Sequence, residues 1–191
     1  MPLNIPNTLT WARIALIPFF VGIYYFPDSL IAPADKNFAA TLTFIVAAVT
    51  DWFDGYLART LGQTSAFGAF LDPVADKLMV AAALIVLVHL GRVDSLIALV
   101  IIGREITISA LREWMAKVGA AGSVAVAFVG KLKTAAQMTA IIALLLYEPL
   151  IPGIPTPLLG TVALWIAAAL TLWSMVHYLK KAAPYLRSDR R

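Results

Sequence analysis

The feature that most constrains this chain is the recurrence of apolar runs long enough to cross a bilayer. A helix needs about 20 apolar residues to span the hydrocarbon core. Six segments approach or exceed that length, at roughly 10–27, 38–58, 67–90, 94–116, 127–148 and 157–179. Pro and Gly punctuate the gaps between them: Pro27 and Pro33, Gly91, Gly119 and Gly122, then Pro149, Pro152, Gly153, Pro155 and Pro157. Composition agrees: 61% of the 191 residues are hydrophobic and only 14% are charged, where a soluble domain has about 45–50% and about 25%. The pattern predicts an all-α integral membrane protein, a single domain over 1–191, with six transmembrane helices. The leading stretch through Asn7 reads as a short interfacial segment. It lacks a basic region before its apolar run and does not read as a signal peptide.

Lys and Arg placement orients the spans. Six crossings put both termini on one side, which collects thirteen cations, while the other side keeps only Lys36 and Arg92. Both termini are therefore expected in the cytoplasm. The net charge of +4 suits an anionic membrane surface or substrate rather than nucleic acid in so apolar a chain. There is no cysteine, and the two histidines, His89 and His177, are far apart. Thiolate chemistry is excluded and a His-rich metal cage is poorly supported. Any metal must be held mainly by oxygen, which favours a hard divalent cation.

The charges inside the spans are concentrated. Asp51 and Asp54 lie near the inner end of the second segment, and Asp72 and Asp76 near the inner start of the third. Spacings of three and four residues put each pair on one helix face. The short connection makes the two helices antiparallel neighbours, so four carboxylates can converge at the membrane edge. Unpaired, they would repel one another and take up protons. Divalent cations resolve that conflict, and two of them about 4 Å apart are a usual arrangement for phosphoryl chemistry. Gly55 and Ala58 leave space for a ligand, and Arg59 suits a phosphate or an aspartate. Asp72 before Pro73 also resembles a helix cap, but a cap explains one aspartate of four, and a continuous, kinked helix is the expectation.

The full spacing D-x2-D-G-x2-A-R-x8-G-x3-D-x3-D, carried by Asp51, Asp54, Gly55, Ala58, Arg59, Gly68, Asp72 and Asp76, resembles the signature of the CDP-alcohol phosphotransferases. The resemblance implies two divalent cations, Mg²⁺ or Mn²⁺, held by Asp51, Asp54, Asp72 and Asp76, with Asp76 also the general base. It implies that Gly55, Arg59 and Gly68 line the CDP site, with Ala58 beside them. Ser65, in the connecting loop and outside the fixed motif positions, is expected to add a hydroxyl there. It further implies transfer of a phosphatidyl group from CDP-diacylglycerol, a homodimer, and a place in a membrane such as the bacterial cytoplasmic membrane, with the site facing the cytoplasm.

Arg104, Arg112, Lys131 and Lys133 gather at the inner ends of the fourth and fifth segments, and such a cluster suits an anionic acceptor. The runs at 103–105, 111–112 and 130–134 resemble the phosphatidylglycerophosphate synthase branch of that family, as do Asn4 to Asn7, Thr10 and Arg13. That branch uses sn-glycerol 3-phosphate, whose phosphate the four cations would bind, while Asn7 and Thr10 would help hold the CDP-lipid. Inositol phosphate, serine and phosphatidylglycerol are the rival acceptors within the family. A cation transporter is the rival of a different class, but its carboxylates belong near the bilayer midplane, whereas these sit at one edge.

Overall fold

The computed structural model describes residues 5–60, 66–119, 127–149, 153 and 155–188. These form six α-helices: α1 (Ile5–Gly22), α2 (Pro33–Thr60), α3 (Ala66–His89), α4 (Ser95–Lys117), α5 (Ala127–Leu146) and α6 (Thr156–Ser188). A short 3-10 turn, Ile23–Tyr25, follows α1. Each predicted segment corresponds to one helix, and the differences lie at the ends. From Ile5 onward the leading stretch is the first turn of α1 rather than a separate segment. Pro6 is tolerated there because first-turn N–H groups have no partner within the helix. Likewise α2 begins at Pro33, where a proline already has helical φ. At the other end α6 runs nine residues past its expected stop, because Tyr178 and Ala182 are buried against Ile108 and Met115 of α4.

Asp72 and Pro73 lie inside α3, which is continuous through them. The cap reading of Asp72 is thereby excluded. Pro73 supplies no N–H to the carbonyl four residues earlier, which loosens the helix beside the aspartates without ending it.

The principal core joins side chains from all six helices, among them Phe20, Phe44, Leu84, Ile101, Ile141 and Leu164. α1 packs on α2 and α3, α2 and α3 both reach α5, and α6 is packed on α4 and α5. The junction of α5 and α6 is close: a Cβ at Gly160 would lie 2.9 Å from Leu144 Cγ and 3.1 Å from Ala143 Cβ. Gly160→Ala is expected to cost about 1–3 kcal/mol, read as a lower unfolding midpoint in detergent. An unchanged midpoint would mean that the two helices have slack.

The helix ends away from the aspartates are tied by polar groups. Asp94 caps α4 by accepting from the Leu96 N–H at 2.8 Å. Gly91, at φ +68, reverses the chain after α3, a conformation glycine adopts without steric cost. Arg92 then donates to the carbonyls of Leu144 and Leu145 at 2.9 and 2.8 Å and to Asn37 Oδ1 at 2.9 Å. The last carbonyls of a helix otherwise lack partners. Tyr147, just past that end, has φ +62, and the Arg92 guanidinium lies 4.2 Å from its ring centroid.

Outside the core, large apolar side chains stay exposed, including Phe19, Phe38, Phe70, Ile85, Leu99 and Trp165. So much open apolar surface suits lipid better than water. Among the described residues two stretches, Asn7–Tyr25 and Thr156–Tyr185, are long and apolar enough to cross a membrane by length and composition. The other helices carry charged residues within them, including Arg104 and Glu105 midway along α4 and others that build the site described next.

Candidate active site

The site is assembled around α1. Asn7, Thr10 and Arg13 are spaced three residues apart, along one face, and all are buried. Thr10 Oγ1 donates to Asp72 Oδ1 on α3 at 2.6 Å. Arg13 reaches α2 instead, one guanidinium nitrogen donating to Asp51 and another to Asp54. Its side chain is 1% exposed, against 42% for Asp51 and 3% for Asp54. Three of the four predicted aspartates are thus tied to one helix, and Asp54 is the one shut away from water.

Asp76 occupies a different position. It shares a small, partly open cavity with Arg13, Asp51, Phe44 and Met79, bounded by α1, α2, α3 and α5. It also lines a second, larger and partly open cavity with Lys77, Glu105, Lys133, Thr134 and Gln137. One carboxylate therefore stands between the aspartate site and a cavity furnished with a cation.

In the second cavity Lys133 donates to Glu105 Oε1 and is buried. Arg104 Nη1 lies 3.4 Å from the same oxygen. The rest of the Arg104 head turns to α6, donating to Ser174 Oγ at 2.6 Å, 5.9 Å from the Tyr178 ring centroid. Of the four predicted cations, then, Lys133 lines the cavity, Arg104 supports its rim, and Arg112 is exposed farther along α4. Lys131 continues the backbone of α5, but its side chain lies outside the described residues. So do the side chains of Gly55, Ala58 and Arg59 on α2, and the whole of Ser65. Gly68, on α3, is buried.

The sequence reading gave no site role to three residues. Arg13 was counted as an orienting charge and as part of the branch resemblance, although a cation three residues after Thr10 on an apolar helix was a signal of a buried partner. Glu105 was noted only within a run of residues, although an acid among four cations asks for an explanation. Gln137 drew no notice. It is a lone amide in apolar surroundings, four residues after Lys133 and so on the same face. It is 5% exposed, and its Oε1 has no hydrogen-bond partner.

The donor set suits a hard divalent cation: Asp51 and Asp76 present carboxylate oxygens to one cavity from two helices. Among the described residues, no three such side chains stand together as a ready-made metal site, and Arg13 and Thr10 engage three of the aspartates. A third, mostly apolar space lies between α3 and α4, with Lys77 and Glu105 in its lining. It adjoins the second cavity through Lys77, Val80 and Glu105.

The chain matches known proteins over nearly its whole length. The model of the CDP-alcohol phosphatidyltransferase family matches residues 3–173. A protein of Pectobacterium atrosepticum, named CDP-diacylglycerol–glycerol-3-phosphate 3-phosphatidyltransferase, is 53% identical over 185 residues, covering 95% of this chain and 96% of its own. Proteins of the same name from Shigella flexneri and Escherichia coli are 51% identical with the same coverage. On the extent of the family match and the identity to these relatives, the chain belongs to the CDP-alcohol phosphatidyltransferase family.

Proposed function

We propose that this protein transfers the phosphatidyl group of CDP-diacylglycerol to sn-glycerol 3-phosphate, giving phosphatidylglycerophosphate and CMP. The observation that carries the reading is Asp76, which faces the aspartate cavity on one side and the Lys133 cavity on the other. A phosphotransferase with a charged acceptor needs that arrangement: donor and acceptor subsites with a base at their junction. The relatives' names supply the two substrates.

In this reading the glycerol 3-phosphate phosphate pairs with Lys133, which Glu105 and Arg104 hold in place. Its free primary hydroxyl then faces Asp76, which accepts the proton as the oxygen attacks phosphorus. The new P–O bond forms to the acceptor, the bond to CMP breaks, and CMP leaves with the electron pair. Asp51, Asp54, Asp72 and Asp76 would hold two divalent cations, Mg²⁺ or Mn²⁺. When bound, such ions neutralise the pyrophosphate and stabilise the attacking and leaving oxygens. Arg13 and Thr10 orient the aspartates. Asn7, Thr10, Gly55, Ala58, Arg59, Ser65 and Gly68 serve the CDP-lipid, and the groove between α3 and α4 takes apolar chain. The exposed Arg112 draws anionic acceptor toward the site, and Lys131 is assigned to the same phosphate from its place in the sequence.

The six helices cross the membrane with both termini and the active site in the cytoplasm. The enzyme acts as a homodimer in the bacterial inner membrane. Support comes from the charge asymmetry, the open apolar surface and the enterobacterial relatives.

The test is CMP release by purified protein in detergent with CDP-diacylglycerol. Release should require glycerol 3-phosphate, stop with EDTA, and return with Mg²⁺ or Mn²⁺. Release with inositol phosphate, serine or phosphatidylglycerol instead would overturn the acceptor assignment. No release from folded protein with any acceptor would overturn the reading as a whole.

A further inference from the structure

Gln137 is unused by the mechanism above, and its buried Oε1 has no hydrogen-bond partner. A buried polar atom without a partner costs free energy, and native proteins keep few of them. This one belongs to a residue 5% exposed that lines the same cavity as Asp76, Glu105 and Lys133. Lys133 and Gln137 are one helical turn apart, so the cation and the amide stand side by side along that wall. An acceptor whose phosphate sits on Lys133 and whose reacting hydroxyl sits on Asp76 therefore occupies a cavity whose wall also carries Gln137.

We infer that Gln137 is a specificity-determining residue, the subsite for the non-reacting hydroxyl of a polyol phosphate. A hydroxyl there donates to Gln137 Oε1 and satisfies an atom the protein alone leaves unpaired. Acceptors lacking that hydroxyl leave Oε1 without a partner, and a site built to hydrogen-bond a substrate group rejects analogues that lack it. Serine, with no phosphate for Lys133, fails on a second count. The inference rests on the reading of this cavity as the acceptor site.

The experiment compares glycerol 3-phosphate with 3-hydroxypropyl phosphate, which keeps the phosphate and a primary hydroxyl but lacks the middle one. The wild-type protein is expected to prefer glycerol 3-phosphate by at least about tenfold in kcat/KM. Gln137→Met should bring the two within about threefold, by losing rate with glycerol 3-phosphate and not with the analogue. Its KM for CDP-diacylglycerol should be unchanged. Its unfolding midpoint should not fall, because an apolar side chain replaces one whose buried oxygen has no partner. Equal loss with both acceptors, or a wild-type protein indifferent to the middle hydroxyl, would overturn the inference and leave the proposed reaction standing. A wild-type protein that ignores glycerol 3-phosphate but uses another acceptor would overturn the proposed reaction and, with it, this assignment.

Discussion

Asp76→Asn is expected to lower CMP release by about 10²–10⁴-fold while CDP-diacylglycerol still binds near its wild-type affinity. Asparagine keeps the shape of the side chain but cannot accept a proton at the acceptor hydroxyl. Asp76 also shares the smaller cavity with Asp51, so metal affinity has to be separated from base chemistry. Single-turnover CMP release at rising Mn²⁺ does this. A deficit that persists at saturating Mn²⁺ supports the base, whereas full rescue by the ion would make Asp76 a ligand only. Near-normal turnover without added ion would remove Asp76 from the chemistry.

The second large effect belongs to Arg13. Arg13→Met is expected to destabilise the protein by about 3–5 kcal/mol, the usual cost of removing one partner of a buried ion pair. The side chain is 1% exposed and Asp54 only 3%, so the carboxylate loses its cation where water cannot readily replace it. Asp51, 42% exposed, should contribute much less. A double-mutant cycle reads the distinction. Arg13→Met with Asp54→Asn should recover stability relative to Arg13→Met alone, and pairing with Asp51→Asn should recover little. Equal recovery in both pairs would show that the two carboxylates depend on Arg13 alike. Unfolding midpoints in detergent are the measurement, because every one of these variants is expected to lose turnover.

Much of this was legible in the sequence because it is written locally. Helix number follows from apolar runs and from Pro and Gly between them. The aspartates follow from spacing, since three- and four-residue intervals put carboxylates on one face whatever else the chain does. Helix ends were less legible. Pro33 was read as punctuation where it is the first residue of α2, and α6 continued past Lys180 because α4 offered Ile108 and Met115 to pack against. The cation cluster was read as a single unit. The structure divides it, since Arg104 finds Ser174 and Tyr178 on α6, partners 70 or more residues away that no local pattern announces.

The sequence by itself determined the helical class, the six segments, the four acids and the family resemblance, for these rest on periodicity, composition and fixed spacing along one chain. Only the tertiary structure decided which charges meet. Packing α1 against α2 and α3 turned Arg13 from an orienting charge into the partner of Asp51 and Asp54. The meeting of α3, α4 and α5 put Asp76, Glu105, Lys133 and Gln137 around one cavity. The physical reason is that a buried polar group must find its partner wherever the fold brings one within reach. That reach is a distance in space between helices, which sequence separation does not encode.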